Sequence, residues 1–427
     1  FMGGGTPLIE ANRLGFHVLG VDVNPMAWWI VHQELAECDD HALAQAADRV
    51  IADVQSNIGN FYTTRCIKCR SSATAKYFLW VKTQDCPRCG FSNDLFPGYL
   101  LADNSRHPRH VLVCPHCSSL VEVDELPSAE SPARCTNCSG LVRLEGPARR
   151  NRIDCRACQH TYKYPTGDSV PAHRLWAIEY HCAPCKPTHV GRFFKRPEEE
   201  DLAKFTTACT KFSELEPELM IPSDEIPAGD ETDRLLRWGY RRYRDMFNER
   251  QLLGLGLLRR SIASLPDRAV REALLTVFSD TLRYQNMLCR YDTYALKCQD
   301  IFSVHGFPVG LVQCENNLLG IPKVGSGGYS HFVEKYRRAK QYCTAPFETS
   351  YRGGRKQIVP SNGENIGARL VSDFPSGSVR VAQLIRGSAT AHDLPPGSLD
   401  GVFTDPPYFA NVQYAELMDF CYMWLRP

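Results

Sequence analysis

Six pairs of cysteines, each with two residues between its members, occupy the stretch from residue 66 to residue 185: Cys66 and Cys69, Cys86 and Cys89, Cys114 and Cys117, Cys135 and Cys138, Cys155 and Cys158, and Cys182 and Cys185. They account for twelve of the nineteen cysteines of the chain. A C-x-x-C turn presents two thiolates to one side of a metal ion, and two such turns complete a closed tetrahedral site of the structural zinc type. Pairing the turns consecutively leaves sixteen, seventeen and twenty-three residues inside the three sites, lengths that suit ribbon hairpins. Three structural Zn2+ ions are expected, and no catalytic one, because an open coordination position requires a missing fourth ligand. Redox dithiols and iron–sulfur ligation are the competing uses of such pairs, and their usual motif contexts are absent. His116, His160, His181 and His189 lie near the turns and could each replace a cysteine, but every site already has four thiolates. A disulfide framework belongs to small secreted chains, and this one has 427 residues.

A chain of that length holds two to four folding units by ordinary domain sizes. Its net charge of +1 excludes a uniformly basic nucleic-acid binder and moves the charge argument to local patches. Residues 61–196 carry 20 Lys and Arg against 11 Asp and Glu. Arg149, Arg150, Arg152, Arg156, Arg192, Lys195 and Arg196 are candidates for a phosphate-contacting surface, with Tyr162, Tyr164 and Trp176 for stacking; a merely solvated face is the alternative. No run of about eighteen apolar residues occurs and the first residues show no leader pattern, so a soluble, cytoplasmic protein without membrane contact is expected. The chain opens on Phe1 and stops at Pro427 directly after an apolar stretch, and both ends read as cut.

The pattern divides into four segments: α/β language over 1–58, three ribbons over 59–196, a helical insertion over 197–345, and a return to α/β over 346–427. Within them, Glu198 to Glu231 reads partly as an acidic linker. Gly320 to Gly367 reads as loop-rich, with Gly325-Ser326-Gly327-Gly328 and Arg352-Gly353-Gly354-Arg355. Val379 to Ile385 and Leu399 to Thr404 read as strands, and a helix follows from about Tyr414. The aromatic and basic run Arg237 to Arg244 could line a nucleic-acid cleft or pack a helical core. The fold class expected is α/β: a split, incomplete Rossmann-like sheet with an inserted β-rich ribbon array and a helical module.

Two loops carry the chemistry. Phe1-Met2-Gly3-Gly4-Gly5-Thr6 precedes a helix, so glycine backbone and free N–H groups can approach a ligand carboxylate at the helix N-terminus. Asp22, followed by Asn24-Pro25, ends an apolar strand at the position from which a carboxylate accepts ribose hydroxyls in a doubly wound fold. A plain strand-to-helix turn is the alternative reading of the glycines. The second loop, Asp405-Pro406-Pro407-Tyr408, supplies acceptors suited to an exocyclic amine of a base. The Asp405 carboxylate and the Pro406 carbonyl can take its two N–H bonds and localise its lone pair. Pro406 and Pro407 stiffen the turn, and Tyr408 offers a flat face to an extruded base.

The sequence from Leu394 through Asp405-Pro406-Pro407-Tyr408 to Phe420, with Phe1-x-Gly3-x-Gly5-Thr6 and Gly20-Val21-Asp22, resembles the zinc-ribbon-containing adenine-specific DNA methylases of prokaryotes. The resemblance implies S-adenosyl-L-methionine as cofactor, held by Phe1, Gly3, Gly5, Thr6, Asp22, Asn24 and Ser388, and methyl transfer to adenine N6 in double-stranded DNA. Cytosine N4 is the near alternative, and a non-catalytic zinc-ribbon nucleic-acid-binding subunit is another. In that family an Asp-Pro pair precedes the Phe, and Ser388 stands where relatives carry Asp in Gly-Asp-Ala. Membership further implies genome modification or phage defence, with restriction or defence-system proteins as partners.

Overall fold

The computed structural model describes residues 2–325, 327–372, 379–391, 394–404 and 413–426. They form a mixed α/β chain with two compact units, one drawn from Phe1–Val50, Ile262–Ser279 and Phe332–Pro427, the other from Ile51–Ser261 and Asp280–His331.

The first unit is built on a parallel sheet in which strand Val18–Asp22 pairs with Val381–Arg386, and that strand pairs with Arg369–Val371. Among the described residues the parallel sheet is three strands wide. Its apolar face, with Val18 and Ala382, packs with Met2, Val31, Leu35, Ile366 and Ala368 into one buried cluster. Helix Thr6–Arg13 lies against the first strand at Gly20, where an added Cβ would clash with Met2 Sδ and Leu8 Cδ1. Helix Pro25–Leu35 starts on the Asn24 side chain, which accepts from the Met26 N–H at 2.9 Å, with proline in the first turn where its missing donor is harmless. At its other end the Lys340 ammonium donates to the carbonyls of Glu34 at 3.0 Å and Ala36 at 2.8 Å, satisfying acceptors the helix leaves open.

Two expectations for this unit are corrected. Leu399 to Thr404 is not a strand: it lies exposed, with Val402 at 76% and Phe403 at 78%. A β-prone run becomes a strand only where a neighbouring ladder takes up its backbone groups. The stretch read as loop-rich from Gly320 to Gly367 instead holds helix Tyr329–Thr344 and a hairpin of strands Phe347–Arg352 and Arg355–Pro360. Gly353 and Gly354, at φ of 56° and 74°, supply the two left-handed positions of a tight hairpin turn.

The second unit centres on the fourteen-residue strand Ser72–Asp85. It pairs antiparallel with His173–His181 on one side and with Val312–Asn316 on the other, and Phe193–Lys195 extends the sheet beyond His173–His181. Residues Tyr77 to Val81 are buried on both faces, which is why this strand reads as a continuous apolar run rather than an alternation. Three buried ion pairs sit in and around the sheet: Arg250 with Glu315 at 2.7 Å, Lys76 with Glu179 at 2.8 Å, and Lys195 with Asp201 at 2.9 Å. Glu315 also accepts from Trp80 Nε1 and Asn248 Nδ2, and the Arg250 guanidinium stacks 3.7 Å from the Phe78 ring, so this pair is fully hydrogen-bonded. The acidic stretch expected as linker begins with a seventeen-residue helix, Glu199–Leu215. Glu198 and Asp201 form a reciprocal capping box, and the acidic run Glu199, Glu200 and Asp201 complements the positive end of the helix dipole.

Candidate metal centres and cofactor loop

Each cysteine turn is closed by its own backbone. The N–H of Arg70 donates to the Cys66 carbonyl at 3.0 Å, and Gly90, Ser118, Ser139 and Gln159 repeat that bond after their own cysteine pairs. These five residues all stand at positive φ, between 58° and 71°, because the chain must reverse directly behind the second ligand. After Cys185 the chain instead enters a short helical turn, Lys186–Thr188. Backbone N–H groups of Lys68, His116 and Asn137 point at the sulfurs of Cys66, Cys114 and Cys135, each at 3.4 Å.

The twelve cysteines gather into three groups of four whose sulfurs lie within 4.8 Å of one another. Sulfur–sulfur separations across the turns run from 3.5 Å for Cys89 and Cys155 to 3.9 Å for Cys66 and Cys185. Tetrahedral zinc with bonds of about 2.3 Å sets its sulfurs roughly 3.8 Å apart, so all three groups are compatible with structural Zn2+. The hydrogen bond between Cys69 and Ser71 brings the Cys69 thiol down to about 6, and that between Cys117 and Ser119 brings Cys117 down to about 5, while in the same groups Cys69 pushes Cys185 up to about 12 and burial pushes Cys114 up to about 12. None of the four histidines near the turns belongs to a group: His189 stacks on Phe193 and His160 on Tyr162.

The pairing is not the consecutive one expected. Cys66 and Cys69 join Cys182 and Cys185; Cys86 and Cys89 join Cys155 and Cys158; and only Cys114 and Cys117 join the next pair, Cys135 and Cys138. The reason is the long strand. Fourteen residues at about 3.3 Å each span roughly 45 Å, so Cys69 before it and Cys86 after it cannot share an ion. Its antiparallel partner His173–His181 runs from near one end to the other, with Lys82 opposite His173 and Thr74 opposite His181. One four-cysteine group therefore stands at each end of a single two-stranded ladder, and the third closes a satellite of short hairpins between them.

Of the basic residues singled out in the sequence, Arg149, Arg150, Arg152, Arg156 and Arg196 are exposed, with Arg149 paired to Glu145 and with Arg156 and Arg196 donating to the carbonyls of His116 and Cys117; Arg192 is half-buried near Glu179, and Lys195 is buried in its ion pair. Tyr162, Tyr164 and Trp176 are buried and pack in cores, as do Tyr240 and Tyr243 of the aromatic run, so none of them offers a stacking face.

In the first unit, Gly3 at φ 50° and Gly5 at φ 85° form a tight turn in which the Gly5 N–H donates to the Met2 carbonyl at 2.7 Å. Thr6 begins the helix beyond it. The Asp22 carboxylate holds this loop: Oδ2 accepts from the N–H of Met2 at 2.8 Å and of Gly3 at 3.2 Å, and Oδ1 accepts from the Asn24 N–H at 2.9 Å. Asn24 caps the following helix and donates to Met418 Sδ at 3.0 Å. Ser388 is exposed and shares a hydrogen bond of 2.8 Å with Thr390; just before it, the Gly387 N–H donates to the Asp22 carbonyl at 2.9 Å. Gly3, Gly5, Thr6, Asp22, Asn24 and Ser388 are thus brought to one end of two adjacent parallel strands. An added Cβ at Gly3 or Gly4 meets nothing within 4 Å, so the outer side of the loop is open. In the sequence Gly20 stands out only within the run Gly20-Val21-Asp22; a glycine inside an apolar strand is in addition a signal of close approach by another element. Phe1 and the tetrapeptide Asp405, Pro406, Pro407 and Tyr408 lie outside the described residues.

No helix among the described residues is long and apolar enough to cross a membrane. No family model, curated protein or solved structure matches the chain.

Proposed function

We propose that the chain is the body of an S-adenosyl-L-methionine-dependent DNA amino-methyltransferase that modifies adenine N6, with three structural zinc ions. The observation that carries this reading is the glycine loop gathered by Asp22 at the end of two parallel strands, where open α/β sheets bind their ligands. Its open outer side and left-handed glycines fit a zwitterionic ligand brought close to backbone, and one lone-pair direction of Asp22 Oδ1 stays available for a ribose hydroxyl. In this reading the three parallel strands belong to a wider Rossmann-like sheet. The bound cofactor supplies an electrophilic methyl group.

The remaining steps fall to the chain. Asp405 and the Pro406 carbonyl accept the N–H bonds of the target amine, Pro407 stiffens the turn, and Tyr408 stacks on the extruded base. The same geometry serves cytosine N4. Incubating the full protein with labelled cofactor and DNA, RNA or protein, then digesting to nucleosides, is expected to give N6-methyladenine. Asp405→Ala is expected to abolish transfer while leaving cofactor affinity within about twofold, since the change removes a group that acts in the transition state. Transfer to protein or RNA alone, or full turnover by Asp405→Ala, overturns the reading.

A further inference from the structure

We propose that the hairpin of strands Phe347–Arg352 and Arg355–Pro360 is an arm that enters a groove of double-stranded DNA. Among the described residues it is a two-stranded sheet with no third strand, joined to its unit at its base: Phe347 meets Tyr342 edge-on at 5.1 Å, and Glu348 pairs with the buried Arg13 at 2.6 Å. Beyond that base every residue of the second strand is exposed. Six residues at about 3.4 Å each carry the tip roughly 20 Å outward.

The chemistry of the arm is one-sided. Arg352, Arg355 and Lys356 surround the turn, all exposed, and none has a hydrogen bond or ion pair from its side chain to any described residue. Its one carboxylate, Glu348, is occupied at the base by Arg13. Arg352 also stands directly opposite Arg355 in the ladder. Like charges opposite one another destabilise a hairpin, and an isolated two-stranded hairpin has little stability to spare. A phosphate between the two guanidinium groups reverses that repulsion and gives each a bidentate partner. On the other face of the ladder, Tyr351 opposite Lys356 and Ile358 opposite Thr349 leave apolar surface in water, at 71% and 61% exposure, beside a cation.

Shape selects among polyanions. The major groove of B-form DNA, about 12 Å wide, admits a two-stranded β-ribbon, whereas the deep and narrow major groove of A-form RNA does not. The inference rests on the reading of DNA as the substrate and adds the element that grips it.

The test uses the full chain and a duplex of about three helical turns, with binding followed by fluorescence anisotropy from about 50 to 200 mM salt. Replacing Arg352, Arg355 and Lys356 together by alanine is expected to weaken binding about tenfold or more and to flatten the slope of log K against log salt by about two to three, one for each lost phosphate contact. Zinc content and the unfolding midpoint serve as the check that the variant is folded, and Tyr351→Ala should weaken binding with an unchanged slope. Unchanged affinity and slope in the triple variant overturn the inference even if the protein methylates DNA. Equal loss on duplex RNA, or on vesicles of anionic lipid, overturns the assignment to DNA. If the triple variant loses duplex affinity while the wild type transfers no methyl group to DNA, the arm stands and the methyltransferase reading falls.

Discussion

Lys82 is the residue whose environment is least compensated. It is fully buried on the long strand, donates to His173 Nε2 and the Tyr240 hydroxyl at 3.2 Å each, lies 5.8 Å from the ring centres of Trp238 and Tyr240, and forms no ion pair with a described carboxylate. Burial pushes its ammonium down to about 7, and burial likewise holds the His173 imidazole well below its ordinary value. A lysine lowered in the folded state penalises stability at and below its folded value, and the penalty fades as pH rises toward the unfolded value of about 10.4. Lys82→Met should therefore stabilise the protein by roughly 3 to 5 kcal/mol near neutral pH, with the gain shrinking to little by about pH 10. Urea unfolding of wild type and variant across that window checks it; a difference that stays constant with pH would show that the Lys82 ammonium is as well solvated in the fold as in the unfolded chain. At this level the sequence was informative about ligands and poor about burial. The twelve cysteines could be read from spacing, whereas Tyr162, Tyr164 and Trp176 offered themselves as stacking faces because aromatic residues beside arginines look alike whether they face water or a core.

Among the elements, the long strand decided what spacing could not. C-x-x-C turns announce their metal but not their partner, and the nearest partner in sequence is excluded by the length of Ser72–Asp85. The signal was present in the unbroken apolar run from Tyr77 to Val81, too long for one arm of a small ribbon. The hairpin at 347–360 was missed for the opposite reason: its strands bury almost nothing, so neither shows the alternation by which a half-buried strand is recognised. The nested arrangement separates the roles of the metal groups. Cys66→Ser should loosen one end of the central ladder, while Cys114→Ser should affect only the satellite hairpins. Each variant is expected to bind about two zinc ions instead of three by metal analysis. Limited proteolysis should then cut Cys114→Ser within about 100–145 only, and Cys66→Ser throughout the antiparallel sheet; the same cleavage pattern for both would contradict the nested assignment.

For the molecule as a whole, the two units differ in what stabilises them. The first relies on an apolar cluster around Val31 and Leu35 and contains none of the four-cysteine groups; the second contains all three. Chelation is therefore expected to split unfolding into two steps: the antiparallel, metal-bearing unit melts early, and the parallel, helix-covered unit keeps its transition near its original temperature. Calorimetry with and without a strong chelator checks this, and a single transition that shifts as a whole would mean that the units unfold together. The α/β character of the first unit was legible because strand Val18–Asp22, its glycine turn and its helix follow one another within 22 residues. The interruption of that unit by two long excursions was legible only as a change of composition, since contacts between residues hundreds of positions apart leave no local trace.

The ladder held at both ends by cysteines also limits how this sequence can change. Substitutions along Ser72–Asp85 alter packing and, at Lys76, Trp80 and Lys82, buried polar contacts, but inserting or deleting residues there alters the distance between two anchorages. Losing two residues keeps every side chain on its own face yet displaces one anchorage by about 7 Å, far beyond the reach of a 2.3 Å bond. The strand is in effect a measured spacer, whose length is constrained separately from its composition.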